Sequence, residues 1–192
     1  MKHVEASEFN PFEAVQTNVI GTQNVMEAAL DCGVEKVLGI STDKAINPTT
    51  LYGATKLCAE RLLIAGNAYA GWGSTRFAVI RFGNIAFSRG SVIPKWREML
   101  KTQDWVPVTD PECTRYWITS GHAAMRAKWA LQTMKGGEVS FLPTASFRVA
   151  DLAEAMGAKM RIVGLGPGER LHEDKSDLVT RLTVEELRGF IA

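Results

Sequence analysis

Apolar residues recur at Val15, Val19, Val25, Met26 and Leu30, close to helical spacing. They predict a helix that opens at Asn10-Pro11-Phe12-Glu13 and stops at Gly33. Asn10 is placed to cap it, Pro11 suits its first position, Glu13 favours its positive end and Gly33 suits its exit. Val37-Leu38-Gly39-Ile40 reads as a short buried strand. Residues 42–50 read as a loop around Asn47-Pro48, and Leu51 to Ala70 as a second helix ending near Gly71-Trp72-Gly73. Phe77-Ala78-Val79-Ile80-Arg81-Phe82 is the strongest strand in the chain. Nearly continuous apolar strands separated by a helix predict a parallel sheet covered on both faces, an α/β class.

After residue 90 the pattern shortens. Helices are predicted near 92–101, 120–134 and 149–157, and strands near 105–108, 138–142 and 160–164. Thr183-Val184-Glu185-Glu186 has the form of a capping box opening a last helix. There are no repeats and no low-complexity tracts.

Composition narrows the field. The 192 residues are 46% apolar and 22% charged, ordinary for a globular domain. A formal net charge of +1 makes no case for a nucleic-acid or membrane partner. No apolar stretch approaches the roughly 20 residues that span a bilayer. Met1-Lys2-His3-Val4-Glu5 lacks the apolar core of a signal peptide, so a cytoplasmic location is expected. Cys32, Cys58 and Cys113 are odd in number and far apart, and His3, His122 and His172 are equally scattered. Neither a disulfide framework nor a structural metal is expected.

The chemistry gathers in ISTDKAINPTTLYGATK, residues 40–56. In an open parallel sheet, ligands bind beyond the carboxyl ends of the strands, and Ser41, Thr42, Asp43 and Lys44 sit at such an end. Tyr52 and Lys56 lie four apart on the next helix and share a face. An ammonium about 6 Å from a phenol, at an effective dielectric of about 20, contributes roughly 3 kcal/mol, or about two pKa units. The expectation is that Lys56 draws the Tyr52 phenol towards neutrality, where it can act as a base. Y-x-x-x-K matches by chance are common, and most are surface pairs. The strand-end S-T-D-K upstream is what lifts this one.

STDKAINPTTLYGATKLCAERL closely resembles the extended short-chain dehydrogenase/reductases of the polysaccharide-biosynthesis branch. Within that branch it is similar to the soluble, inverting UDP-N-acetylglucosamine 4,6-dehydratases. The resemblance covers nearly the whole chain, through KHVEASEFNPFEAVQTNVIGTQNV, RFGNIAFSRGSVIP, TRYWIT, GGEVSFLP and GPGERLHE. It implies the C-terminal part of a doubly wound Rossmann sheet over 1–90. A small α+β substrate region then follows over 91–192, with strand returns to the sheet.

The resemblance also implies an NAD(P)-dependent lyase of surface-glycan synthesis, with NADP or NAD as cofactor and a UDP-sugar as substrate. Tyr52 would deprotonate the C4 hydroxyl, Lys56 would serve the nicotinamide ribose, and Thr42 would bond the sugar hydroxyl. Asp43 and Lys44 would form the elimination pair, and Ser41 would lie against the cofactor. Asn84, Ser91, Val92, Ile93, Arg115 and Glu169 would contact the nucleotide sugar. Arg115 would pair with the diphosphate and Glu169 with the uridine ribose.

Two departures stand out. Where the family reads Arg-Pro-Gly-Glu, this chain has Gly166-Pro167-Gly168-Glu169, so a second phosphate arginine is missing. Nor does any stretch before Tyr52 resemble a strand, glycine-rich turn and helix that would hold a cofactor pyrophosphate. VGLGPGER, residues 163–170, is glycine-rich but has the wrong spacing and no apolar-patterned helix after it. The resemblance aligns Met1 with an interior residue, so the front of the family's fold is expected to be lacking. A truncated enzyme, one half completed by a separate N-terminal chain, and a non-catalytic nucleotide-sugar binder all fit. A UDP-sugar 4-epimerase or a homo-oligomer is also compatible with the residues.

Overall fold

The computed structural model describes residues 1–71, 75–143, 145–173 and 179–192. The chain divides into two compact units, Met1–Phe82 with Ala123–Leu142, and Gly83–His122 with Pro143–Ala192. The first unit runs unbroken to Phe82, and residues 123–142 rejoin it.

The first unit opens with α1 (Val4–Phe9), α2 (Pro11–Val15), a π-helical turn (Gln16–Ile20) and α3 (Gly21–Asp31). The predicted single helix is therefore three pieces, and α1 was not foreseen. Asn10 does not cap through its side chain; its amide donates to the Ala6 carbonyl at 3.0 Å instead. A preceding helix offers that carbonyl, and the competing bond removes the cap. Pro11 does hold the first position of α2. Gly33 takes φ of +65° just past α3, the left-handed exit that glycine makes without strain.

β1 (Lys36–Thr42) leads through a 3₁₀ turn (Asp43–Ala45) to α4 (Leu51–Tyr69) and β2 (Arg76–Phe82). The predicted Gly71-Trp72-Gly73 end of α4 falls partly outside the described residues. After α6 (Ser120–Thr133), β5 (Val139–Phe141) completes a parallel sheet in the order β1-β2-β5. Thr42 pairs with Phe82 in register, so the carboxyl ends of β1 and β2 are level. The helices press on this sheet through Met26, Ala29, Leu63, Phe77 and Val79. Asn67 adds a polar clamp, its amide bonding both the amide and the carbonyl of Phe77.

The second unit contains α5 (Val92–Met99), β3 (Trp105–Val108), β4 (Thr114–Trp117), β6 (Ala145–Arg148), α7 (Val149–Ala155), β7 (Lys159–Ile162), β8 (Thr180–Arg181) and α8 (Val184–Ile191). β3 pairs with β7 in parallel, and β6 lies between antiparallel β4 and parallel β8. Its core is aromatic and aliphatic, with Trp117 edge-on to Phe147 at 5.4 Å and Ile93, Trp96 and Leu152 around them. The Thr183–Glu186 capping box forms in both directions. Among the described residues, no helix is long and apolar enough to cross a membrane.

Candidate active site and nucleotide-sugar residues

In the first unit, the end of β1 buries three consecutive polar side chains, Ser41, Thr42 and Asp43. The Thr42 hydroxyl donates to Asp43 Oδ1 at 2.8 Å and accepts from the Lys44 amide at 3.3 Å. That second bond is what turns the chain into the 3₁₀ segment. It brings Lys44 Nζ to 3.5 Å from Asp43 Oδ1. Tyr52, one residue into α4, hydrogen-bonds Thr42 through its phenol. Thr50 caps that helix by accepting from the Gly53 amide at 3.2 Å. Cap, turn and strand end thus place phenol, hydroxyl, carboxylate and ammonium in one connected group.

Burial pushes the Tyr52 phenol above its ordinary value, while the Thr42 bond and the Lys44 charge pull it down and Asp43 pushes it up. The expectation that Lys56 draws this phenol towards neutrality is therefore not met. The cation acting on Tyr52 is Lys44. Lys56 reaches the other way, and its Nζ donates to the Ile40 carbonyl at 2.8 Å. A long flexible stem lets a lysine on the shared helix face end at the strand instead of at the phenol. Burial lowers the Lys56 pKa and Glu60 opposes that shift. A cleft of about 340 Å³ opens beside this group, lined by Thr17, Ile40, Ser41, Lys56 and Glu60 among others. Ser41 Oγ is buried there without a protein partner among the described residues.

Four residues escaped the sequence reading. Asn18, in the π-helical turn, donates to the Thr55 hydroxyl at 3.1 Å, and Thr55 donates to the Tyr52 carbonyl at 2.9 Å. Glu60 and Arg81 form a bidentate pair between α4 and β2. The four-residue series Tyr52, Lys56, Glu60 was the available signal for Glu60.

In the second unit, Asn84 Oδ1 and Ser91 Oγ are buried without protein partners among the described residues. Ser91 precedes α5 without a side-chain cap, and Val92 opens the helix. Ile93 is a core side chain, which leaves only its backbone to face a ligand. Between them Phe87 holds φ of +60°, a strained value for an aromatic residue, with the Arg97 guanidinium 5.3 Å above its ring.

Arg115 and Glu169, expected to serve different parts of a ligand, bind each other at 2.7 Å. Arg115 is 8% exposed. It also donates to the carbonyls of Thr114 and Leu171 at 2.8 and 3.1 Å, and Glu173 lies 3.6 Å away. Burial works to lower the Arg115 pKa, but Glu173, Cys113 and Glu169 outweigh it and hold the guanidinium above its ordinary value. Glu169 Oε2 accepts the Gly166 amide at 3.1 Å, which closes the glycine-rich turn on itself. Part of the LHEDKSD stretch that follows lies outside the described residues.

Residues 1–186 match the family model described as polysaccharide biosynthesis protein. A UDP-N-acetylglucosamine 4,6-dehydratase (inverting) of Campylobacter jejuni is 42% identical over 176 residues, covering 90% of this chain and 53% of the relative. A UDP-glucose 4-epimerase of Rickettsia akari is 31% identical over 196 residues, covering 99% of this chain and 58% of the relative. The solved structure of Pen from Bacillus thuringiensis superposes with a TM-score of 0.91 at 37% identity, covering 100% of this chain and 72% of that one. The chain spans about half the length of the curated relatives it matches.

Proposed function

The chain belongs to the polysaccharide biosynthesis protein family, and from that premise we propose that it carries the catalytic group and the nucleotide-sugar residues of a UDP-N-acetylglucosamine 4,6-dehydratase. The observation that carries this reading is the connected set Tyr52, Thr42, Asp43 and Lys44. Tyr52 in its ionised form, which the Lys44 charge and the Thr42 bond favour against burial, takes the proton of the C4 hydroxyl as that carbon is oxidised. The resulting ketone acidifies the C5 proton; with the proton of the Asp43–Lys44 pair then resting on Asp43, Lys44 is a neutral amine that can receive it. Asp43 gives a proton to the departing C6 hydroxyl, so C5–H and C6–O break, the C5–C6 double bond forms and water leaves. Thr42 orients both groups. A UDP-sugar 4-epimerase needs the phenol but has no use for an acid beside it, so the Asp43–Lys44 pair favours the dehydratase.

A bound nicotinamide would supply hydride acceptance at C4 and hydride donation at C6, and Lys44 holds the proton that C5 then regains. Ser41, with its partnerless buried hydroxyl, and Lys56 fit the nicotinamide-ribose end of such a cofactor. The sequence contains no G-x-G-x-x-G, so these residues do not supply a diphosphate cradle. In the second unit, Asn84, Ser91 and the first amides of α5 are the residues offered to the nucleotide sugar. This reading keeps the cytoplasmic location expected from the sequence.

The test is complementation. The chain is mixed with the front segment of the Campylobacter jejuni relative, UDP-N-acetylglucosamine and NADP or NAD. A 4-keto-6-deoxy product supports the reading, and a C4 epimer replaces it with the epimerase. UDP binding without product would make the chain a nucleotide-sugar binder. Alone, the chain is expected to show no turnover.

A further inference from the structure

One turn beyond Lys56, the Glu60 carboxylate is 3% exposed, and no step above uses it. Arg81 on β2 grips both its oxygens, Nε to Oε1 at 2.8 Å and Nη2 to Oε2 at 2.6 Å. A forked guanidinium fixes a carboxylate in direction as well as in place. Lys56 and Glu60 line the same cleft, with Ile40 and Ser41. On one helix face, residues four apart bring their side chains together. Arg81 therefore pairs with Glu60 directly, while Lys56 stands one turn away on the same cleft wall, its ammonium on the Ile40 carbonyl within the field of that anion.

The other groups around Lys56 do not substitute for it. On α4, Tyr52 is an uncharged phenol held to Thr42. On β1, Ile40 offers a carbonyl and Ser41 a hydroxyl. The Met1 ammonium of the N-terminal segment is a like charge that repels Lys56. Glu13 acts on Met1, and Asp43 and Lys44 act on Tyr52. Glu60 is the anion that offsets the burial of Lys56.

We infer that Glu60 is a positioning residue for Lys56: its carboxylate, fixed by Arg81, holds the ammonium at the Ile40 carbonyl on the wall of the cleft. This deepens the proposed function, since Lys56 is read there as the group facing the cofactor ribose. A purely structural role, tying α4 to β2, would leave Lys56 unmoved when the pair is replaced by neutral groups.

Side-chain ammonium NMR on the labelled 192-residue chain reads this without turnover. Lys56 is assigned by the signal lost in K56R, and its titration is followed in each variant. Glu60→Gln is expected to shift the Lys56 titration downward, and Glu60→Asp, which keeps the charge, to move it back towards wild type. Glu60→Gln leaves Arg81 unpaired, so the double variant E60Q/R81M, which removes both charges, decides the matter if the single variant does not fold. A downward shift in the folded double variant supports the inference, and an unchanged titration there overturns it. Failure of the functional reading shows separately: Lys56→Met would keep full turnover in the complementation assay, whatever the titration gives.

Discussion

The hydroxyl of Thr42 donates to Asp43 Oδ1 at 2.8 Å, and the Tyr52 phenol hydrogen-bonds the same side chain. One small side chain thus joins the group proposed as base to the group proposed as acid. Two charged residues complete the frame from opposite directions, Lys44 against Asp43 and Lys56 against the β1 backbone. The cluster is set by a strand end, a 3₁₀ turn and the first turns of one helix.

Thr42→Val is expected to raise the Tyr52 pKa further, because it removes an interaction that lowers it while burial remains. An ultraviolet phenol titration, with Tyr52→Phe as the subtraction, measures this. The linked stability has a definite sign. The folded chain keeps its phenol proton where the unfolded chain, at about pH 10, releases it, so stability falls as pH rises through that range. Tyr52→Phe should flatten that fall in urea midpoints measured against pH. A fall of the same steepness in Y52F would assign the effect to other groups.

Asp43→Asn keeps the shape of the turn and removes the acid. In the complementation assay, reduced nicotinamide should still form while the 4-keto-6-deoxy product drops on the order of 10²- to 10⁴-fold. Product at the wild-type rate would take the elimination away from Asp43.

The contrast between Lys56 and Tyr52 shows how far the sequence reaches. Periodicity placed both on one helix face, and placed Ser41 to Lys44 at a strand end, because those relations are local and repeat with backbone geometry. It could not say which cation meets which acceptor, since a flexible lysine chooses among partners brought in by other elements. The same holds for Arg115 and Glu169, which close on each other across a sequence separation of 54. The short strands β4, β6 and β8 carry too few residues to show a period, so their sheet went unread, while β3 and β7 of the second unit's other sheet were legible. The return of residues 123–142 to the first unit is a tertiary fact with no local signature.

Arg115→Met is expected to destabilise the chain by about 3 kcal/mol, the low end for stranding buried charge, because Glu169 keeps some solvent. Glu173, at 9% side-chain exposure, is the more costly carboxylate to leave without the guanidinium. A urea titration of R115M against wild type checks this. If R115M kept wild-type stability and lost only UDP affinity, Arg115 would be a free ligand-binding arginine as the sequence suggested.

Gly53→Ala tests whether α4 itself fixes the acid and the ammonium. Alanine for glycine inside a helix ordinarily stabilises by about 1 kcal/mol. Here the added Cβ would lie 2.3 Å from the Lys44 carbonyl oxygen and 3.0 Å from Pro48 Cβ. A backbone oxygen cannot swing aside as a side-chain tip can, so the helix and the Asp43–Ala45 turn would have to part. The expected result is a loss of about 1–3 kcal/mol in the urea midpoint analysis, typical of overpacking. Gly21→Ala is the control, since its Cβ would meet only the Gln16 carbonyl at an ordinary 3.6 Å. It should gain about 0.5–1 kcal/mol. A gain from G53A as well would mean that the turn yields to the helix, and that Asp43 and Lys44 take their places from β1 alone.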